Sequence, residues 1–197
     1  MTADDTFRVL FVCTGNICRS PMAQAMLTAA LRERLGADAD RIEVRSAGTY
    51  AVVGEEIEPD AKRFLETVGV KPDPFEARDL LEQHVAEADL VLGAERAHRA
   101  AAVTLVPSAA KRTFTIREFA RLVAGVQPED APTDDVVRRF QALVPAAAQR
   151  RGFVRADDPS DDDVADPYRQ RYGAFEAAGR QLHEAVTAIV DRVATKK

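Results

Sequence analysis

Cys13 and Arg19 lie six positions apart, with Thr14, Gly15, Asn16, Ile17 and Cys18 between them and Ser20 directly after. A thiolate is a strong nucleophile, and a guanidinium offers a planar fork of N–H donors that matches two oxygens of a phosphoryl group. A loop wrapped between the two residues turns both toward one point. Gly15 and Asn16 supply the turn chemistry of such a loop, and Ser20 adds a hydroxyl at its end. At the mouth of a nest of backbone N–H groups, beside a guanidinium, a thiol pKa falls from about 8.5 toward neutrality or below. The implied chemistry is in-line attack on a bound phosphate ester, with amides and Arg19 neutralising charge and no metal required. The bare spacing says little, because a Cys and an Arg this far apart arise by chance with a probability of roughly 0.2. The setting between a strand and a helix makes it specific.

Phe7 to Cys13 (FRVLFVC) is a short apolar, β-branched and aromatic run, the pattern of a strand buried on both faces. After the loop, Pro21 fits a first helical turn, and Met22, Ala23, Met26, Leu27, Ala30, Leu31 and Leu35 recur at helical spacing until Gly36. Ile42 to Ala47 reads as a second strand ended by Gly48, so the helix between is a parallel crossover. Further along, the patterns predict helices over Glu58 to Val68, Leu80 to Ala88 and Glu95 to Val106, and strands over Ala88 to Ala94 and Arg112 to Thr115. Thr115 and Glu118 form a capping box for a helix over Ile116 to Val123. Phe175, Ala178, Gly179, Leu182, Val186, Ile189, Val190 and Val193 line one face of a long terminal helix. The expected fold is α/β: a central four-stranded parallel sheet with helices on both faces and a phosphate-binding loop between the first strand and first helix.

The chain of 197 residues carries 27 Lys and Arg against 32 Asp and Glu, a balance that provides no basic field for nucleic acid. No stretch approaches the ~20 apolar residues of a membrane span, and Met1 to Thr6 lack the pattern of a secretion signal. A cytoplasmic protein is expected, and two clustered cysteines do not make a disulfide framework. Residues 1–197 read as one domain with an insertion at about 125–163, marked by Pro128, Pro132, Pro145 and Pro159 and a helix from Thr133 to Val144. Within it Asp157, Asp158, Asp161, Asp162 and Asp163 read as a solvated loop, because no turn glycine gives them cation-loop spacing. His84, His98 and His183 are scattered on expected helices, where surface or packing roles are expected. Neither a metal nor a cofactor is expected.

Cys-Thr-Gly-Asn-Ile-Cys-Arg-Ser resembles the signature loop of the low-molecular-weight protein tyrosine phosphatases, in their bacterial form. The resemblance extends through Ser46-Ala47-Gly48-Thr49, Glu76-Ala77-Arg78, Ala88 to Leu92 and Asp166-Pro167-Tyr168, leaving out roughly Gly125 to Asp163. It implies that Cys13 forms a phosphocysteine, that Arg19 binds the phosphoryl group, and that Asp166 protonates the leaving phenol and then activates water. It further implies that Thr14, Gly15, Asn16, Ile17, Cys18, Ser20 and Tyr168 contact substrate and that Ser20 hydrogen-bonds the sulfur. The same resemblance implies that Asn16 and Ser46 brace the loop and makes Cys18 a candidate disulfide partner of Cys13 under oxidation. The implied substrate is a phosphotyrosine protein, a bacterial tyrosine kinase among the candidates, and phosphate or sulfate would occupy the loop.

Of the two Asp-Pro pairs late in the chain, Asp166-Pro167 is preferred over Asp158-Pro159, since of these two only the former is followed by an aromatic residue and enters the last helix. Three departures bear on substrate. Phe75 stands where many relatives have a histidine that helps hold the loop asparagine; the residues around Tyr50 and Val52 match the family's aromatic wall poorly; and the insertion precedes the acid as a lid, a docking surface or a loop. Ile17 matches the phosphotyrosine enzymes, whereas phosphoarginine phosphatases resemble this chain with threonine at that position. Arsenate reductases of the same fold need a further cysteine, and none follows Cys18. A catalytically silent phosphate-binding module is the remaining alternative, favoured if Asp166 lies far from Cys13.

Overall fold

Odd and even positions of the first strand, β1 (Phe7–Cys13), feed two separate cores. Phe7, Val9, Phe11 and Cys13 face the larger one, and Leu10 and Val12 the smaller, as period-two alternation requires. A computed structural model describes residues 6–126 and 135–194. β1 pairs in parallel with β2 (Ile42–Gly48) on one side and β3 (Leu90–Gly93) on the other, and β4 (Thr113–Thr115) extends the sheet beyond β3. The order is β2-β1-β3-β4, so the winding reverses between β1 and β3. A crevice at the C-terminal ends of those two strands is where open α/β sheets take ligands. This is the expected four-stranded parallel sheet.

The larger core lies under α1 (Arg19–Leu35), α2 (Pro59–Thr67), α5 (Ile116–Ala124), α6 (Val136–Arg150) and the terminal α7 (Tyr172–Val193). The smaller core lies under α3 (Glu82–Glu87) and α4 (Arg96–Leu105), so helices cover both faces. Caps set several ends. Glu58 accepts the amides of Asp60 and Ala61 at the start of α2, and Thr115 and Glu118 form the expected reciprocal box at the start of α5. Gly36, at φ 56, ends α1 in a conformation that L side chains rarely adopt.

The segment before the last helix departs from its sequence pattern. The expected end of a helix at Val144 is wrong: α6 runs through Pro145 to Arg150. The helix survives its proline because Val136, Phe140, Leu143, Val144 and Ala147 are buried in the larger core, and Phe140 stacks on Phe7 with ring centroids 4.8 Å apart. That packing outweighs one lost backbone bond. The expected helix start at Thr133 lies outside the described residues, with Pro128 and Pro132. The aspartate run is also more than a solvated loop. Asp158 caps a single 3-10 turn, Pro159–Asp162, while Asp162 pairs with Arg121 of α5 and Asp163 grips Arg96 of α4 through guanidinium and backbone N–H. Burial alone would raise the Asp163 carboxyl, but the Arg96 contacts hold it below the usual carboxylate range. Among the described residues no helix is long and apolar enough to cross a membrane.

Candidate active site

The loop from Thr14 to Cys18 joins β1 to α1 with its carbonyls turned outward. Cys13 O accepts from Thr49 N (2.9 Å), Thr14 O from Tyr50 N (3.0 Å), Gly15 O from Val52 N (3.0 Å) and Ile17 O from Glu58 N (2.9 Å). With the oxygens tied to the segment after β2, the amides of Gly15, Asn16, Ile17 and Cys18 turn to the inside. No acceptor among the described residues takes them. The first turn of α1 carries no acidic residue, so its positive end adds to the same concavity. The segment approaches closely because β2 ends in glycine: a Cβ on Gly48 would stand 2.5 Å from Thr14 O.

Asn16 organises the inside of the loop. It is fully buried with φ at 54, a left-handed conformation that asparagine tolerates better than most residues. Its Oδ1 accepts the backbone N–H of Arg78 (2.9 Å), and that fixed donor orients the amide. Nδ2 then donates to Ser46 Oγ and to Ser20 Oγ, both at 2.9 Å. Ser46 passes its own hydrogen to Gln24 Oε1 (2.7 Å), and Arg78 Nε donates to Ser46 O (2.9 Å). Ser20 receives from Asn16, which leaves its hydrogen for Cys13 Sγ at 2.9 Å. Phe75, which the family resemblance set against a bracing histidine, packs on the core instead. The bracing of Asn16 comes from the Arg78 backbone.

Arg19 is buried and almost saturated. Nη1 donates to Val164 O (2.9 Å) and to Glu95 Oε1, and Nη2 to Asp166 Oδ2 (2.8 Å) and Thr14 Oγ1 (3.4 Å). Nε alone is buried with no partner among the described residues, a strong donor for a further anionic acceptor. Val164 is itself pinned, its N–H bonding Ala94 O at 2.8 Å, so the end of β3 fixes both the arginine and the start of the Asp166 turn. In that turn Asp166 Oδ1 accepts Tyr168 N–H (3.1 Å), Pro167 is buried, and the exposed Tyr168 ring lies 5.2 Å from the Arg169 guanidinium carbon. Asp166 therefore stands at Arg19. Asp158 is exposed, its carboxyl held below the usual range by the Ser160 hydroxyl and amide.

Cys18 is buried one residue before α1, and burial, reinforced by repulsion from Cys13, Glu58 and Asp166, pushes its thiol pKa well up. It remains a thiol at neutral pH. Cys13 and Cys18 are both free.

Two site residues escape the sequence reading. Glu95, two residues past the end of β3, binds Arg19, and His98, expected on the surface or in packing, is buried and bonded to the loop. His98 Nδ1 accepts the Glu95 N–H (3.1 Å), so the ring hydrogen sits on Nε2 and donates to Thr14 Oγ1 (2.9 Å). Their signal was positional, since both lie just past the C-terminal end of the strand that borders the switch point. Burial, and then the charge of Arg19, holds the His98 pKa below its usual 6.5. The unfolded chain thus binds a proton at a pH where the folded one does not, and stability falls as pH drops through and below 6.5. Thermal unfolding is expected to show a midpoint that falls between about pH 7 and about pH 5, with a shallower fall in His98→Asn. An identical slope in the variant would remove His98 as the titrating group.

Tyr50, Val52 and Val53, all exposed, stand on the segment that clamps the loop, and Tyr168 stands on the Asp166 turn. Apolar side chains therefore flank the loop on two sides. Among the described residues no three His, Cys, Asp or Glu side chains group as a metal site would need.

A profile of the low molecular weight phosphotyrosine protein phosphatase family matches residues 8–142. A protein-arginine-phosphatase of Geobacillus stearothermophilus is 27% identical over 191 residues, covering 97% of this chain and 99% of that protein. The probable low molecular weight protein-tyrosine-phosphatase EpsP of Ralstonia solanacearum is 30% identical over 186 residues, 94% of each chain. The crystal structure of a low molecular weight protein tyrosine phosphatase from T. tengcongensis superposes with a TM-score of 0.67 at 27% identity, covering 94% of this chain and 99% of that one.

Proposed function

The chain belongs to the low molecular weight phosphotyrosine protein phosphatase family, and from that premise we propose that it hydrolyses phosphotyrosine in proteins through a phosphocysteine on Cys13. The observation that carries the reading is the one-way hydrogen-bond chain from Arg78 N–H through Asn16 and Ser20 to Cys13 Sγ, facing the inward amides and Arg19. In the first step Cys13 Sγ attacks phosphorus in line, the P–O bond to the phenol breaks, and Asp166 gives the leaving oxygen its proton. Arg19, through its unpartnered Nε, and the amides of Gly15 to Cys18 hold the equatorial oxygens, and the Ser20 hydroxyl stabilises the sulfur. In the second step Asp166 takes a proton from water, the water oxygen attacks phosphorus, the S–P bond breaks and phosphate leaves. No step needs a metal. The substrate on this reading is a cytoplasmic phosphoprotein, an autophosphorylated bacterial tyrosine kinase among the candidates.

Relatives named for arginine and for tyrosine dephosphorylation both match the chain, so the substrate rests on this chain's own rim. Ile17 is a branched apolar residue packed near Gly15, and Tyr50, Val52 and Tyr168 offer apolar contact to a phenyl ring. None supplies a carboxylate to pair with a guanidinium. A phosphotyrosine peptide is expected to exceed the matched phosphoarginine peptide in kcat/KM by about tenfold or more with a chelator present, the range that one pocket contact commands. Ile17→Thr should narrow that ratio. Preference for phosphoarginine in the unaltered protein would overturn the substrate assignment while leaving the reaction type standing.

A further inference from the structure

A cavity of about 370 Å³ opens where the starts of β1 and β2 meet α3, and none of its walls belongs to the Cys13–Arg19 loop. Arg8, Arg45, Arg78 and His84 line it together with Glu43 and Glu87, and Leu10 of the smaller core gives it apolar lining. Its volume is that of a small-ligand site, with both polar and apolar lining.

The charges in this recess are not balanced internally. One carboxylate, Glu43, serves two guanidiniums, with Arg8 Nε at 3.2 Å and Arg45 also in contact. Glu87 accepts from Gln83 (2.7 Å), on its own helix. Arg78 is half-buried, and its Nε is committed to Ser46 O, while its two Nη groups have no hydrogen-bond partner among the described residues. Burial, and then the neighbouring Arg45, holds the Arg78 pKa below its usual value. His84 Nδ1 accepts the Leu81 N–H (3.2 Å), which leaves the hydrogen on Nε2. Burial, then Arg78, keeps this ring neutral at physiological pH. Like charges gathered around a concavity, with free donors in planar forks, raise the local concentration of anions and match tetrahedral oxygens.

We propose that this cavity is a second anion site, taking a tetrahedral dianion: orthophosphate, or the phosphoryl head of a small phosphomonoester. Arg78 anchors it, Arg45 and Arg8 close on the remaining oxygens, and the apolar lining at Leu10 receives any organic substituent. The site is separate from the reaction centre but shares a residue with its scaffold. The Arg78 backbone N–H holds Asn16 Oδ1 and its Nε holds Ser46, while the residue also lines the cavity.

The test is a titration of the full chain, followed through backbone amide resonances, with two probes: orthophosphate, and ethylphosphonate, whose P–C bond is not hydrolysed. Amides of Glu43, Arg45, Glu87 and Ala88 should shift together and saturate at about 1–10 mM, as a set distinct from Gly15 and Ile17 of the loop. The Arg78 amide should follow both sets. Arg45→Gln, which touches nothing in the loop, should weaken the cavity response by about fivefold or more and leave the loop response and the basal kcat unchanged. Equal midpoints for the two probes identify the free anion as occupant, and a tighter midpoint for the phosphonate identifies an ester. A cavity set that does not move at about 50 mM of either probe, or that moves identically in Arg45→Gln, overturns the site. Because loop and cavity report separately, failure here is distinguishable from failure of the phosphatase reading.

Discussion

Cys13→Ser is expected to lower kcat for an aryl phosphate by about four to six orders of magnitude, with the chelator-treated wild type fully active. The substitution is conservative in shape, and the side chain sits at the buried end of β1, so the thermal midpoint should move by only a few degrees. What changes is the chemistry. A thiol loses its proton near the working pH and leaves readily from phosphorus, whereas a serine hydroxyl keeps its proton and makes a stable ester. No group among the described residues is placed to act as base toward residue 13: its hydrogen-bond partner is Ser20, itself committed to Asn16. Serine in this position therefore has nothing to activate it. Residual turnover within about tenfold of wild type would end the phosphocysteine mechanism, because binding by the amides and Arg19 alone does not supply a nucleophile. Loss of activity on chelation, with Cys13 intact, would instead point to metal-assisted hydrolysis.

The parts of the fold that were legible in the sequence are those where local pattern and tertiary role agree. The run Phe7 to Cys13 alternates between two cores, Gly36 stops α1, and Thr115 with Glu118 starts α5, each for a reason contained within a few residues. The loop was legible for the same reason, as strand, turn residues and helix follow in order. What escaped was set at long range. Nothing within α6 says that Phe140 will stack on Phe7 and carry the helix through Pro145. Nothing near Asp163 says that its partner is Arg96, 67 residues earlier, or that Val164 O will reach Arg19 across 145 residues. Glu95 and His98 looked like ordinary helix-start residues. Only the reversal of strand order between β1 and β3 puts them beside Arg19 and Thr14.

Asp166→Asn is expected to lower kcat by about 10²–10⁴ for a phosphotyrosine peptide, against a change within about twofold for Asp158→Asn. The geometry gives Asp166 two candidate roles: it pairs with Arg19 Nη2 at 2.8 Å, and it is a carboxyl at the loop able to carry a proton. The two separate by leaving group. A phenol of high pKa needs its oxygen protonated as the P–O bond breaks, whereas a nitrophenol leaves unaided. If Asp166 is the proton donor, the loss should be large for the peptide and small for the nitrophenyl ester, with KM nearly unchanged. If its main role were to position Arg19, both substrates would suffer alike and KM would rise, because phosphoryl binding is common to both. Arg19 keeps Glu95 and Val164 O as partners in the variant, and asparagine offers its own Oδ1 to Nη2, so the guanidinium is expected to hold its place. A leaving-group-dependent loss confined to kcat thus assigns the proton to Asp166, and a uniform loss returns the carboxylate to a structural role beside Glu95.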